Sequence, residues 1–500
     1  MILDQNYSKN QKKLTISYIN DDGLKSFLEF NISRFKTYYH TPSGKYTDWR
    51  GARCDEKWTD SPSKFDIMNY IYNLDDKYKK LLSNKTFPRM YSWDIETKYT
   101  PGEKVNAIAA KNEITTISIC SPELVCLVLG TKPLTDEEKG ELSKKYQEYL
   151  DNVPLFKKLK KINPKIEYKQ FNNEISMIEY FLKNVVAKVP ILAGWNSDNF
   201  DWQYLSNRIK NYYPDTSLRM ASAKYGLYGA AIYDYQKNRI NIQKPLHTLL
   251  VDMMDVIMEH DKVVLDIKES SSLDWISEAS LGVKKIEYPG SLEQLYNKDF
   301  FLYVFYNAVD SLLVQLIDKR FKTMNIIYNY STYCTIPIGR CFSKIATSEA
   351  LVLRDFHDNN IKVVWEEHDK TRGNLPGAYV AIPIKGKHEW VSCNDFSGLY
   401  PATIITCNLS FDNFMHPQHY YKNPNKMVWD EVDLDRFRKD PKYFVSVNNN
   451  VYRNDKTYTF ARVQKNLKAE RNITKYMSKS LDAQLLSLLD KEIEKRGLKK

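Results

Sequence analysis

The sequence is short of the features that mark several large classes of protein. Its seven cysteines are odd in number, scattered (Cys54, Cys120, Cys126, Cys334, Cys341, Cys393 and Cys407), and include no CxxC pair. That pattern argues against a disulfide framework and a cysteine-based zinc site, and predicts reduced thiols. No apolar run approaches the length of a membrane span, and the mean hydropathy is −0.53. The expectation is a protein with no membrane partner. The first residues, MILDQNYSKNQKKL, are polar and lack the apolar core of a signal peptide. This predicts a cytoplasmic chain that is not secreted, in the host cytoplasm if its source is viral. There is no internal repeat and no Gly/Ser-rich linker, which sets aside solenoids and flexibly strung modules.

What remains is an ordinary globular composition. The 500 residues are 43% hydrophobic and 27% charged, enough for two to four domains with sizeable cores. The net charge of +11 suits a polyanionic partner. Much of it is terminal: Arg462 to Lys500 holds eleven Lys/Arg against five Asp/Glu. Tyrosine is abundant, at 36 residues, and interleaves with basic residues. Such a mixture suits stacking on unpaired bases, although an A/T-rich codon preference accounts for it equally well.

Periodicity predicts an α/β layer fold. RMYSWDIET, EITTISIC and ELVCLVLG read as strands, EISMIEYFLKNVVAKV as a helix, and PILAGWN as a short buried strand. DNFDWQYLSNRIKNYY reads as a helix capped by Asp198 or Asn199. DFFLYVFYNAVDSLLVQLID is a strong helix, apolar at 301, 302, 305, 309, 312, 313 and 316. Strand–helix alternation of this kind implies layered α/β architecture. GAYVAIPIKGKHEWVSCNDFSGLYP reads as strands, and one helical pattern runs from about 458 to 496 with Gly497 as its stop.

Several acids fall where they share a face. Asp94 and Glu96, two apart on a strand, leave the same side of it. Two such carboxylates repel each other and become favourable when a divalent cation lies between them. Asp201 sits at a strand-to-helix junction, where α/β folds place their sites. Tyr306 and Asp310 are four apart on the strong helix and share its face. An acid on the apolar side of a buried helix is costly unless paired or metal-bound.

In chain order these make Asp-x-Glu, Asn-xxx-Phe-Asp and Tyr-xxx-Asp, with Asn196 and Phe200 in the middle motif. The combination resembles the three exonuclease motifs of DnaQ-like and family B polymerase proofreading domains. Hydrolysis of a 3′-terminal phosphodiester calls for an activated water and a stabilised leaving oxyanion, and two Mg²⁺ ions supply both, with Mn²⁺ as an alternative. The resemblance implies an RNase H-like domain with Asp94, Glu96, Asp201 and Asp310 as metal ligands. It gives Tyr306 the orientation of water or phosphate, and Asn196 and Phe200 contacts to DNA.

Asp395-Phe396-Ser397-Gly398-Leu399-Tyr400-Pro401 resembles motif A of the same family, and its surroundings, with SLDWISEASLGVKK upstream, are similar to the T-even phage type. The resemblance implies that Asp395 holds catalytic Mg²⁺, that Leu399 flanks the triphosphate, and that Tyr400 closes the sugar pocket against ribonucleotides. Gly398 and Ala402 stand where the family has Ser. Gly377-Ala378 resembles the linker motif that contacts template and primer, with Leu375 in place of the family's Tyr. Arg471 and Lys475, four apart, resemble the first fingers helix, whose basic face grips the dNTP.

The family's second fingers motif and second palm acid are not found in the sequence. The expected layout is therefore residues 1–88 as an N-terminal domain completed by about 325–365, then 89–324 as the exonuclease. A partial palm at 366–455 and half of the fingers at 456–500 follow. The expected function is a 3′→5′ proofreading exonuclease and the N-terminal part of a replicative polymerase. It acts on primer-template and single-stranded 3′ ends, and polymerises only with a C-terminal partner chain. A sliding clamp is a further expected partner. A natural split and a fragment both fit. So do two rivals, a DNA-binding subunit without autonomous activity and a freestanding exonuclease.

Overall fold

The computed structural model describes residues 1–99, 105–159, 162–213, 227–234, 238–260, 270–364, 380–396, 398–423 and 425–495. It separates into two units. One combines Met1–Ser33 with Leu74–Thr347, and the other combines Arg34–Asn73 with Ser348–Lys500. The first 88 residues thus contribute to both.

In the first unit, β1 (Ile2–Ser8), β2 (Lys13–Ile19) and β3 (Lys25–Asn31) make an antiparallel sheet. The second unit begins with β4 (Phe35–His40), β5 (Tyr46–Thr47) and β6 (Arg53–Thr59), paired in the order β4-β6-β5. The first unit resumes with β7 (Met90–Thr97), β8 (Ile114–Cys120), β9 (Val125–Gly130), β10 (Lys165–Gln170) and β11 (Ile191–Gly194). A hairpin of β12 (Leu227–Asp234) and β13 (Asn238–Pro245) follows, and then β14 (Leu249–Asp252).

Six of these strands form the main sheet, in the order β10-β9-β8-β7-β11-β14. β7, β8 and β9 are antiparallel, whereas β11 runs parallel to both β7 and β14. Residue alternation along β7 then sorts side chains between two layers. Trp93 and Ile95 join Ile117 and Ile119 against Phe181, Trp202 and Leu205 from helices Glu174–Phe181 and Asp201–Tyr212. Trp93 stacks on Phe181 at 5.3 Å between ring centroids and meets Trp202 edge-on at 6.1 Å. Burying each such ring contributes about 1.5–3 kcal/mol.

Ser92, Asp94 and Ser118 face the other layer, where helix Phe300–Phe321 lies. The expectation that no apolar run reaches membrane-spanning length is corrected by this helix. It is long and apolar enough by composition, with a window of mean hydropathy 1.6. That window is 78% buried within the protein. Its polar residues bond to the sheet, as expected of a core helix. Ser311 O accepts from Ser92 Oγ at 2.6 Å, Asn307 O accepts from Ser118 Oγ at 2.8 Å, and Gln315 Nε2 donates to Met90 O at 2.7 Å.

The second unit also holds β15 (Phe414–Met415), β16 (Tyr443–Val445) and β17 (Val451–Arg453), in the order β15-β17-β16. Helix Thr459–Lys495 is anchored at its first turn. Thr459 Oγ1 donates to buried Asp412 at 2.8 Å, and Arg462 Nε donates to Asp355 at 2.7 Å. From Lys468 to Leu485 it is exposed.

Two expectations are corrected here. Residues 380–396 form no strand, although they read as one; residues 377–379 lie outside the described residues. Val380, Ile382 and Ile384 alternate as a strand's inward face does, yet each is more than 80% exposed. A strand needs neighbours to take its backbone hydrogen bonds and its apolar face, and among the described residues this segment has none. Neither Asp198 nor Asn199 caps the helix that starts at Asp201; the N-cap position is Phe200, without a side-chain bond. Lys244 Nζ takes the Asp198 carboxylate instead, at 2.6 and 2.8 Å. Gly497 lies outside the described residues.

The stack beneath β7 is testable. Phe181→Ala should cost about 3–5 kcal/mol and speed amide hydrogen exchange in β7 and β11. Unchanged exchange would show that the stack does not hold the sheet.

Candidate metal centre

Asp94, Glu96 and Asp310 each offer a carboxylate oxygen, and these oxygens lie within 4.8 Å of one another. The pleat of β7 turns Asp94 and Glu96 to one face, and helix Phe300–Phe321 brings Asp310 to meet them. Asn307, one turn before Asp310, fixes the encounter: its Nδ2 donates to Asp94 Oδ2 at 2.7 Å. Asp201 approaches from the opposite layer. β11 pairs with β7 only as far as Ser92, so the Ile95 N–H lies beyond its end. Asp201, 3% exposed at the start of its helix, accepts that N–H on Oδ1 at 3.2 Å.

The cluster is electrostatically strained. Burial, then the charges of Asp201, Asp310 and Glu96, push the Asp94 carboxyl well above its ordinary range. Burial with the Asp310 charge raises Glu96 to about 8, and burial raises Asp201 to about 7. Asp310 is also raised by burial, against the pull of Lys285, whose Nζ lies 2.6 Å from Asp310 Oδ2. Tyr306 is half-buried beside the same carboxylate, edge-on to Tyr288 at 5.3 Å. Burial and the Asp310 charge push its hydroxyl pKa up, which keeps it a donor.

The residues present fit a hard divalent cation. All the ligand atoms are carboxylate oxygens, the donor type such ions take. Asp310 Oδ1 is buried without a hydrogen-bond partner among the described residues. A buried anionic oxygen without a partner is costly until something positive meets it.

The loop that delivers Asp201 is built for a tight path. A Cβ on Gly194 would meet Ser197 Cβ at 2.5 Å, so the strand end passes too close for any side chain. Asn196 adopts a left-handed φ of 59°, which Asn tolerates better than most residues. Asp252, at the carboxyl end of β14, accepts from the Asn196 N–H at 2.9 Å and the Asp198 N–H at 3.2 Å. Phe200 is half-buried, tilted on Tyr204 at 5.7 Å.

Sequence reasoning missed Lys285, Asn307 and Asp252. A signal existed for two of them. Asn307, Ser311 and Gln315 form a polar row at i, i+4 and i+8 on an apolar helix, and Asp252 ends a parallel strand, where α/β sites gather. Nothing local distinguishes Lys285.

Comparison with known proteins gives a consistent result. The exonuclease domain model of DNA polymerase family B matches residues 52–274, and the DNA polymerase family B model matches residues 341–494. The chain belongs to the family B DNA polymerases. Its α/β architecture is consistent with their RNase H-like exonuclease domain. It is 28% identical to the DNA-directed DNA polymerase of Escherichia phage RB69, over 72% of this chain and 39% of that one. It is 24% identical to that of Enterobacteria phage T4, over 54% and 30%, and 27% identical to a DNA polymerase of Archaeoglobus fulgidus, over 54% and 32%. The matches thus span well under half the length of these relatives.

The remaining predicted positions of this family B chain are not drawn into one site. Asp395 is exposed in irregular backbone, and Leu399 and Tyr400 are 52% and 71% exposed at the start of helix Leu399–Thr406. Gly398 precedes that helix with a φ of 65°, where a side chain costs roughly 1–2 kcal/mol. That strain accounts for Gly in place of Ser. Arg471 and Lys475 share an exposed face of helix Thr459–Lys495. Gly377, Ala378, Leu375 and Ser397 lie outside the described residues.

The raised carboxyls set a pH dependence. A folded-state pKa above the unfolded value means that the folded chain binds more protons, so stability falls as pH rises between the two. For Glu96 that window runs from the unfolded value of about 4.3 to about 8. In chelator, the melting temperature of the exonuclease unit should drop from pH 5 to pH 8. Glu96→Gln should flatten the slope, and a wild-type melting temperature that rises over this interval would refute the strained cluster.

Proposed function

We propose that this chain bears the 3′→5′ proofreading exonuclease of a replicative family B DNA polymerase, together with the first part of its nucleotidyl-transfer machinery. The observation that carries the nuclease is the meeting of Asp94, Glu96 and Asp310 within 4.8 Å. Asp201, raised to about 7 beside them, completes the set of acids. Those acids would hold two Mg²⁺ ions, or Mn²⁺, which would supply the activated water and stabilisation of the leaving 3′-oxyanion.

The residues of the chain do the rest. Asp94, Glu96, Asp201 and Asp310 would hold the ions. Asn307 keeps the Asp94 carboxylate in one rotamer through its 2.7 Å bond. The Tyr306 hydroxyl, held protonated, donates toward the water or the scissile phosphate. Asn196 and Phe200 contact the terminal nucleotides of a single-stranded 3′ end.

For synthesis, Asp395 is proposed as one metal ligand, with Leu399, Tyr400, Arg471 and Lys475 at the dNTP and Gly377 and Ala378 at the primer-template. The exposed alternation of Val380, Ile382 and Ile384 and the exposed stripe of Ile473, Met477, Leu481, Leu485 and Leu488 are apolar surfaces of the kind that further polypeptide covers. They support a partial palm and half of the fingers that polymerise only when completed by a C-terminal partner chain. A sliding clamp belongs to the same proposal.

The test is a time course of 5′-labelled single-stranded DNA with this chain and Mg²⁺, beside Asp94→Ala and Asp310→Ala. Shortening from the 3′ end that both substitutions abolish, with DNA binding retained, is expected. Undiminished cleavage by either variant would sink the site. No cleavage by the wild type would favour a binding subunit that needs its partner.

A further inference from the structure

The loop between β11 and helix Asp201–Tyr212 is held from outside as well as from within. Its own bonds close a turn: Asn196 O accepts from the N–H groups of Asn199 at 3.2 Å and Phe200 at 3.1 Å, and Asn199 Nδ2 donates to Asn196 Oδ1 at 3.0 Å. Asp252, from β14, takes two further N–H groups of the loop. A third tie comes from β13. Lys244, one residue before the end of that strand, gives its ammonium to both oxygens of Asp198. Its neighbour Gln243 offers a carbonyl that accepts from Trp202 Nε1 at 2.8 Å. Two consecutive residues of one hairpin strand therefore grip the chain just before and just after Asp201.

The Lys244–Asp198 pair differs from an ordinary surface pair. An exposed pair returns little for the ordering of a lysine, but here the Lys244 side chain is 10% exposed and that of Asp198 27%. Asp198 also has like-charged neighbours. Behind burial, its charge helps to raise the carboxyls of both Asp252 and Asp255, while Lys244 lowers that of Asp255. Lys244 thus offsets a repulsion that would otherwise drive the half-buried Asp198 out into water. Asp198 cannot swing out without drawing the loop backbone after it.

We propose that Lys244 positions the 3′-terminal nucleotide of the substrate by acting through Asp198: its ammonium locks the loop into the path that presents Asn196 and Phe200, and joins that loop to the β12–β13 hairpin as one mechanical piece. This rests on the reading that Asn196 and Phe200 contact the terminal nucleotide. Lys244 is accordingly a positioning residue. Its contribution is to hold one loop conformation ready before DNA arrives, so that binding does not have to order it.

The experiment is a fluorescence titration of the full chain, in chelator to prevent cleavage, with a single-stranded oligonucleotide carrying 2-aminopurine at its 3′ end. The wild type is compared with Lys244→Met, Lys244→Gln, Lys244→Arg, Asp198→Asn and the double variant Lys244→Met/Asp198→Asn, with circular dichroism to confirm folding. Lys244→Met and Lys244→Gln should bind about tenfold more weakly, the loss of one hydrogen bond between charged groups, and should show a smaller change at the terminal base. Lys244→Arg, which keeps the charge and can take both carboxylate oxygens, should stay close to the wild type. Asp198→Asn should weaken binding alike, and the double variant no more than either single one. Should Lys244→Met not fold, the same comparison is read from Lys244→Gln. A wild type whose terminal base responds to binding, with neutral Lys244 variants that match it, would overturn the role of Lys244 alone. Losses that multiply in the double variant would overturn the action through Asp198. A wild type that binds the oligonucleotide without any response at its terminal base would overturn the placing of that base on this loop, and the role of Lys244 with it.

Discussion

Helix Phe300–Phe321 is fixed to the sheet by hydrogen bonds as well as by apolar packing, and the position of the acidic cluster follows from that docking. Ser92 reaches Ser311 O, Ser118 reaches Asn307 O, and Gln315 reaches Met90 O. These bonds span two turns of the helix and set its register against β7 and β8. A slip of one turn, about 5.4 Å, would break all three and carry Asp310 away from Asp94 and Glu96. Apolar contact alone would tolerate such a slip far better, because it is not directional.

Given that register, the site becomes a problem of buried charge. Four carboxylates are brought together at low exposure, and three of them are met in different ways. Asp201 accepts a backbone N–H left over where β11 ends. Asp94 accepts from Asn307, and Asp310 pairs with Lys285. Asp310 Oδ1 remains without a partner among the described residues. Incomplete compensation distinguishes this cluster from the ion pair of Arg208 and Glu174 in the same unit. There the guanidinium is bidentate, with bonds of 2.8 and 2.9 Å, and the acid also accepts from Ile114 N at 2.7 Å. A satisfied pair stabilises one arrangement; an incompletely compensated cluster is stabilised when a cation meets it.

The sequence made the sheet legible where its physics is local. β7, β8 and β9 alternate or run apolar, and the helix at 300–321 repeats its apolar residues at helical spacing, so each declares itself. The spacing of Asp94 and Glu96 likewise fixes their common face. Lys285 was illegible because its partner is 25 positions away and nothing in its own segment marks an ammonium as buried. Asp198 looked like a helix cap until Lys244, from a distant strand, took its carboxylate. The segment 380–396 failed in the opposite sense. Its strand pattern is plain, but pattern alone does not make a strand, and no neighbour among the described residues pairs with it.

Whether β7 and helix Phe300–Phe321 assemble a divalent-cation site from Asp94, Glu96 and Asp310 is open to direct measurement. Anomalous diffraction from crystals of the chain soaked in Mn²⁺ addresses it directly. An anomalous peak within coordination distance of at least two of those three carboxylates is expected. Mn²⁺ bound elsewhere, with no peak between β7 and the helix, would contradict it.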